Sequence, residues 1–290
     1  MKETQTPSIH TAWEEPQSLE HACELLDRGG PAWQVAAGCT AISPSELIAN
    51  PEIKAVVDVM ALDPLSGIEQ TKAGIRIGAT TTLAAVEASS LVSTATPLLA
   101  HAAAGIGDAV IRGMATVGGN LALRAARAHE LPVAMSALDA QLEISSAKGL
   151  RTVAAAELCD RDFSLEAGEL ITAIEVSAAS GAWAYRKLST NLDSYGIACL
   201  AIAGLADGTP RVFAGLGESI PQRLPVAEAA LAGDASSALV DGAAEVAERA
   251  CAELIAVEDA LSSAAYRKRA LAAVLAEELK RLAGGNDVGS

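Results

Sequence analysis

Aromatic side chains are scarce in this 290-residue chain, 3% of the total, and basic ones are outnumbered: 21 Lys and Arg stand against 36 Asp and Glu, a formal net charge of −15. A nucleic-acid footprint needs a basic stripe, so this balance excludes one. No uninterrupted apolar run is long enough to cross a bilayer, and Met1-Lys2-Glu3-Thr4-Gln5 lacks the apolar core of a signal peptide. Neither membrane insertion nor secretion is expected, and the expected compartment is the cytoplasm. The five cysteines, Cys23, Cys39, Cys159, Cys199 and Cys251, include no Cys-x-x-Cys pair. An odd, scattered set suits neither a disulfide framework nor an iron–sulfur cluster, which needs about four thiolates with several clustered. No clustered His, Cys and carboxylate spacing points to a metal, and no Ser/His/Asp constellation stands out.

What is abundant is alanine. Hydrophobic residues make up 51% of the chain with alanine dominant, which predicts a core of many small helix contacts rather than of large rings. Residues up to about Asn50 read as a small α/β unit, with a helix around Leu19 to Leu26 and a strand before Ala37. From Pro51 to about Val176, strands at Ala55 to Met60, Gly74 to Ile77 and Gln141 to Ser145 alternate with helices around Thr82 to Ser89 and Pro97 to Ala104. Ala178-Ala179-Ser180-Gly181 is the best linker. Beyond it, strands at Ala198 to Leu205 and Arg211 to Leu216 flank the hairpin signal Ala206-Asp207-Gly208-Thr209-Pro210. Helical patterns fill Ala227 to Leu231, Gly242 to Ala256 and Ser263 to Leu282, and the tail from Gly284 to Ser290 is expected to be disordered.

The most informative stretch is Ile111-Arg112-Gly113-Met114-Ala115-Thr116-Val117-Gly118-Gly119-Asn120-Leu121-Ala122. Paired glycines allow a backbone to approach a phosphate and to take positive φ angles that turn successive N–H groups toward an anion. The same Gly-Gly-Asn also makes an ordinary hairpin turn. Two further segments accompany it. Trp33-Gln34-Val35-Ala36-Ala37-Gly38-Cys39-Thr40-Ala41-Ile42 is an apolar strand entering a loop of small residues, followed by a helix start at Ser43-Pro44-Ser45-Glu46. Gly74-Ile75-Arg76-Ile77-Gly78-Ala79-Thr80-Thr81-Thr82-Leu83 is a strand ending in another small-residue turn.

In this order and spacing the three segments resemble the flavoprotein (medium) subunits of the molybdenum hydroxylases, the group of carbon monoxide and xanthine dehydrogenases. That family has Ala-Gly-Gly-Thr-Asp-Leu, Ile-Gly-Ala-x-Thr-x-Leu and Ile-Arg-x-x-Ala-Thr-Ile-Gly-Gly-Asn-Leu. The resemblance continues through Glu169-Leu170-Ile171-Thr172-Ala173-Ile174-Glu175-Val176, Tyr185-Arg186-Lys187-Leu188 with Asp193-Ser194-Tyr195-Gly196-Ile197-Ala198, and Arg211-Val212-Phe213-Ala214-Gly215-Leu216-Gly217 with the helix after Pro221. It implies an α+β fold: a two-part FAD-binding domain of the PCMH type over residues 1–178 (subdomains about 1–50 and 51–178), a C-terminal domain with a small antiparallel sheet and helices over 179–286, and a tail from 287.

Carried over residue by residue, the resemblance implies FAD contacts from Ala36, Ala37, Gly38, Cys39, Thr40 and Ala41, from Ile106, from Thr116, Gly118, Gly119 and Asn120, and from Leu170. The first loop departs from the family at Ala37, which replaces a glycine, and at Cys39-Thr40-Ala41. Ala37 can still present its N–H if φ stays negative. Nine residues after Asn120 the family has an Asp for the cofactor's hydroxyls, where this chain has His129 followed by Glu130. His129 can accept through a ring nitrogen, and Glu130 can serve if the loop shifts by one residue. Lys187 is implied to lie near the flavin ring, where a cation stabilises the reduced, anionic form; the alternative is a solvated lysine at a strand end. Cys39 reads as a small residue or a reactive thiol, and Arg112 as a structural ion pair or a phosphate contact. His10 and His101 read as packed or surface histidines.

The implied function is an FAD-binding electron-transfer subunit working with a molybdopterin-binding large subunit and a [2Fe–2S] small subunit. The altered first loop and His129 keep a second reading open, a free-standing or degenerate homologue acting as an independent flavoprotein or a scaffold.

Overall fold

The computed structural model describes residues 11–42, 50–123, 130–178, 181–191, 194–217, 219–233 and 236–284. His10, the helix start at 43–46, the linker residues 179–180 and the tail from 285 lie outside them. Strands β1 (Ala12–Glu14), β2 (Trp33–Ala36) and β3 (Ala55–Asp58) form a parallel sheet in the order β1-β3-β2, with Ala12 and Trp33 both opposite Ala55. Parallel neighbours need a crossover, and helix α1 (Leu19–Gly29) supplies one between β1 and β2. Ser18 caps its start by accepting the His21 N–H, and Gly30, at φ 56°, ends it. The boundary expected near Asn50 is corrected here. Strand β3 lies beyond it yet is central, because β1 and β2 pair only through β3.

The second sheet is antiparallel, in the order β4-β5-β8-β6-β7: β4 (Ile68–Gln70), β5 (Gly74–Gly78), β6 (Gln141–Ser146), β7 (Gly149–Ala154) and β8 (Leu170–Ser177). Between β5 and β6 the described residues form six helices, α2 (Leu83–Ala88), α3 (Ser90–Ala95), α4 (Pro97–Ala104), α5 (Ala109–Met114), α6 (Val117–Ala122) and α7 (Glu130–Ala137). The late strand β8 fills the centre, with Ile174 opposite Ile77 on one side and Leu142 on the other. The core over this sheet is mainly Ala, Val, Leu and Ile, with Met135, Cys199 and the aromatics Trp183, Tyr185 and Phe213 among them.

The third sheet is an antiparallel meander in the order β12-β11-β10-β9: β9 (Trp183–Leu188), β10 (Ala198–Gly204), β11 (Pro210–Gly215) and β12 (Gln222–Arg223), followed by α8 (Pro225–Leu231), α9 (Ser236–Ala252) and α10 (Ala264–Ala283). Alternation along β10 sends Cys199, Ala201 and Ala203 into the core shared with α4 and α7, and Leu200 and Ile202 into a second core under α9 and α10. The helix expected at Gly242 to Ala256 is displaced toward the N-terminus and stops at Ala252, where the Leu254 N–H turns back to the Cys251 carbonyl. No helix of the described residues is long and apolar enough to cross a membrane.

Buried charge ties α10 to this sheet. Arg267, fully buried, donates to the Ile197 carbonyl at 2.7 Å and pairs with Asp259, while Glu278, also fully buried, pairs with Arg186 and Arg281. Removing one member of a buried pair strands the other, which typically costs about 3–5 kcal/mol. Arg267→Met is therefore expected to lower the unfolding free energy by about 3 kcal/mol, measured by urea denaturation; a loss indistinguishable from that of a surface substitution would refute the tie.

Candidate functional site

The loop after β2 begins where the Ala36 carbonyl accepts the Val59 N–H and the chain leaves the sheet. Ala37 keeps a negative φ, while Cys39 adopts a left-handed φ of 53° that is unusual for a residue with a side chain. Its thiol points back to the Ala37 carbonyl at 3.4 Å, and burial, with Asp58 nearby, raises its pKa. That environment favours the neutral thiol over a reactive thiolate. Among the described residues, the amide N–H groups from Ala37 to Ala41 find no hydrogen-bond partner.

Gly38 has no room for a side chain, since a Cβ there would lie 1.9 Å from the Met114 carbonyl oxygen. Gly118 packs the same way against Ala79, whose Cβ would be 2.6 Å from an added one. The turn at 78–82 is pinned in its own right: the Thr80 hydroxyl donates to the Leu65 carbonyl at 2.8 Å, and the Thr81 hydroxyl to the Gly67 carbonyl at 3.0 Å. The small residues of all three sequence segments thus let three backbones stack without side chains between them.

The Gly118-Gly119 pair departs from both readings of its sequence. It forms neither a hairpin nor a positive-φ turn but the first turn of α6, capped by the Thr116 hydroxyl, which accepts the Gly119 N–H. Its amides are already engaged: Val117 donates to the Thr81 carbonyl, Gly118 to Ala79 and Asn120 to Thr116, at 2.8–3.0 Å. The expectation that amides of both loops grip a pyrophosphate is corrected accordingly. The first loop has free donors and the second supplies a floor.

These loops enclose a cavity of about 580 Å³, lined by Ala37, Gly38, Cys39, Thr40, Ala41, Thr116, Gly118, Gly119, Asn120 and Leu170 among the expected residues. This is within the range of small-molecule clefts, about 300–1,000 Å³. The Asn120 side-chain oxygen is shielded from solvent and lacks a protein partner. Residues not foreseen also line it, including Val59, Leu65, Thr80, Leu165 and Glu169. The Ala-Thr pair after Gly78 was the visible signal for Thr80. Glu169, whose carboxylate is gripped by Arg151 at 2.6 and 2.7 Å, had none, because its partner is 18 residues away on β7. Those hydrogen bonds hold its pKa below the ordinary carboxylate value.

Ala36, Ile106, Glu130 and Lys187 do not line the cavity, and His129 lies outside the described residues. Three of them meet elsewhere. The Lys187 ammonium lies 3.2 Å from the Glu130 carboxylate, their side chains 9% and 5% exposed, and donates to the Gly105 carbonyl at 2.7 Å, next to buried Ile106. Glu130 also accepts the Gly196 N–H at 3.3 Å. Lys187 is therefore not a solvated strand-end lysine. Burial raises the Tyr185 hydroxyl and the Cys199 thiol beside this pair, keeping both neutral. Arg112 is held by Glu87 at 2.7 Å and by the Gly107 carbonyl at 2.9 Å, a structural ion pair. His101 stacks beside Trp183, its ring nitrogen 3.1 Å from the Pro97 carbonyl.

Among the described residues no Lys or Arg lines the cavity, and the five consecutive amides of Ala37 to Ala41, unpaired among those residues, together with the unpaired Asn120 side-chain oxygen suit a cofactor with a pyrophosphate and hydroxyls. The glycine contacts give the first check. Gly38→Ala must push apart two backbones and is expected to cost about 1–3 kcal/mol. Gly119→Ala, which meets only the Thr116 hydroxyl at 2.8 Å, should cost less. Urea denaturation of the two ligand-free variants measures the order, and the reverse order would refute the stacking.

The chain matches the family model described as the FAD binding domain in molybdopterin dehydrogenase over residues 7–178. It is similar to the nicotine 6-hydroxylase medium subunit of Paenarthrobacter nicotinovorans, 31% identical over 90% of this chain and 92% of that one. It is also similar to the carbon monoxide dehydrogenase medium chain of Afipia carboxidovorans, 30% identical over 70% and 71%. A solved carbon monoxide dehydrogenase from Hydrogenophaga pseudoflava superposes with a TM-score of 0.83 at 27% identity, over 96% of this chain and 97% of that one. The chain belongs to the family of FAD-binding domains of molybdopterin dehydrogenases, as an FAD-binding medium subunit of the molybdenum hydroxylase group.

Proposed function

We propose that this chain carries electrons from a [2Fe–2S] subunit through FAD to a terminal acceptor, in a cytoplasmic heterotrimer with a molybdopterin-binding large subunit. The observation that carries the reading is the run of amides at Ala37 to Ala41, unpaired among the described residues, in a loop that lines a cavity where none of the described residues brings a basic side chain. Residues 1–178 are the FAD-binding part and 179–286 the C-terminal part, a division supported by the family match ending at residue 178.

In this reading Ala37 to Ala41 hold the pyrophosphate through N–H groups, Asn120 receives a hydroxyl on its unpaired oxygen, and Thr116, Gly118, Gly119 and Leu170 form the wall. Bound FAD supplies the redox chemistry, accepting electrons from one carrier and passing them to another. The chain's five cysteines are too scattered to hold a cluster of their own, so the donor must dock. Isolation of the chain from its native source is the direct test. Yellow, FAD-containing protein accompanied by a large molybdopterin subunit and a small iron–sulfur subunit is the expected result. A chain that isolates alone with FAD already turning over a substrate would favour an independent flavoprotein.

Lys187 tunes the flavin rather than anchoring it, since it stands apart from the amide loop. A nearby cation favours the added negative charge of the reduced ring, and Glu130 at 3.2 Å offsets part of that field. Lys187→Ala should leave FAD bound and lower its reduction potential by the equivalent of roughly 1 kcal/mol. Lys187→Ala combined with Glu130→Gln should lower it less, because both charges go together. Redox titration of the two proteins reads this directly, and identical potentials in wild type and both variants would remove Lys187 from any flavin role.

A further inference from the structure

Among the described residues that line the cofactor cavity, Glu169 is the only one with a charged side chain, and its charge is negative. The loop at Ala37 to Ala41, in the same cavity, brings N–H groups unpaired among those residues, an arrangement suited to an anion. A bare carboxylate in that wall would oppose the anion, since repulsion is poorly screened where water is displaced.

The surroundings of Glu169 resolve the conflict. Arg151, on the edge strand β7, donates Nε to one carboxylate oxygen at 2.6 Å and Nη2 to the other at 2.7 Å, and the second oxygen also accepts the Glu166 N–H at 2.9 Å. A two-pronged bond of this kind fixes the orientation of the carboxylate as well as balancing its charge. It also keeps Glu169 ionised, so the charge is matched by a cation and not removed by a proton. The two partners are placed unequally: the Glu169 side chain is 8% exposed and that of Arg151 41%. Arg151 does not line the cofactor cavity but a second cleft, of about 560 Å³, which Glu169 borders as well. The carboxylate thus stands between the two spaces, and the guanidinium grips it from the far side. Lys148, in the same cleft, does no comparable work, because it lies 3.6 Å from Glu166 with both side chains mostly in water.

Resting on the FAD reading proposed above, we infer that Arg151 is a positioning residue for cofactor binding: from outside the cavity it turns the Glu169 carboxylate into an electrically balanced wall against which an anionic cofactor can sit. Without Arg151 the carboxylate would keep its charge and lose the bond that orients it.

The test titrates FAD into the flavin-stripped protein, isolated with whatever subunits accompany it, and reads the quenching of flavin fluorescence. Arg151→Ala is expected to raise the dissociation constant about tenfold, because an unbalanced carboxylate is left in the wall. Arg151→Lys, which keeps the charge, and Arg151→Ala combined with Glu169→Gln, which removes both charges, should each stay within about threefold of wild type. Lys148→Ala should bind as wild type does. If the pair served only to pack the wall, the double variant would bind no better than Arg151→Ala; that result, or wild-type affinity in Arg151→Ala, would overturn the inference and leave the FAD reading intact. A wild-type protein that takes up no FAD would instead remove that reading, and this one with it. Should Arg151→Ala prove unstable, Glu169→Gln decides the matter: affinity equal to or above that of wild type upholds the inference, and weaker binding refutes it.

Discussion

Backbone-to-backbone contact at two glycines is the constraint on which the site depends. Gly38 lies on the Met114 carbonyl and Gly118 on Ala79, so three loops from different parts of the chain meet with nothing between them. This closeness leaves the first loop lining a cavity, its amides unpaired among the described residues instead of joined to a neighbouring strand. It also accounts for the left-handed Cys39: with Gly38 flattened against Met114, the chain turns away at the next residue, and a residue with a side chain takes the unfavourable angle. The contacts that hold the cavity open are therefore distinct from the groups offered to its occupant.

That separation leaves backbone N–H groups, rather than basic side chains of the described residues, at the cavity wall. A guanidinium in the cavity would bind a pyrophosphate strongly, but it would also place a fixed positive charge beside the flavin. Among the described residues, Arg112 is spent on Glu87, Arg151 on Glu169, and Lys187 on Glu130. Neutral amides can bind the phosphates while leaving the electrostatics of the ring to other groups. The Lys187–Glu130 pair, at the junction of α4, α7 and β9, is well suited to be one of them, because its burial keeps the local field poorly screened.

Much of the architecture was legible in the sequence because it follows local rules. The hairpin at Ala206 to Pro210 and the helix after Ser263 stand where turn chemistry and helical periodicity place them, and the strand that the family resemblance implies over Glu169 to Val176 is found at Leu170 to Ser177. The three loop segments were legible as a set because their small residues are needed for contact. What could not be read was how the donors are spent. Thr116 looked like part of a glycine-rich phosphate loop, yet its hydroxyl caps a helix and its neighbours' amides pair with Ala79 and Thr81, partners nearly forty residues earlier in the chain. Only the fold brings them together. The subdomain limit at Asn50 failed for a similar reason, since the pairing that makes β3 central is non-local.

The shared core explains why the FAD-binding part comes with a C-terminal part. Every residue of α7 is buried, Glu130 and Ser136 included, so this helix has no solvent face to spare. One side packs under α4 and the turn at Ala155 to Cys159, and the other is covered by β10 and β11. Without that sheet, the apolar side chains that β10 and β11 cover would be exposed, and Glu130 would lose both Lys187 and the Gly196 N–H. The C-terminal sheet thus completes the core of the FAD-binding part and brings in the cation of the buried pair. Any shift of that sheet, including one transmitted from a docked partner, would reach the Lys187–Glu130 pair through the same contacts.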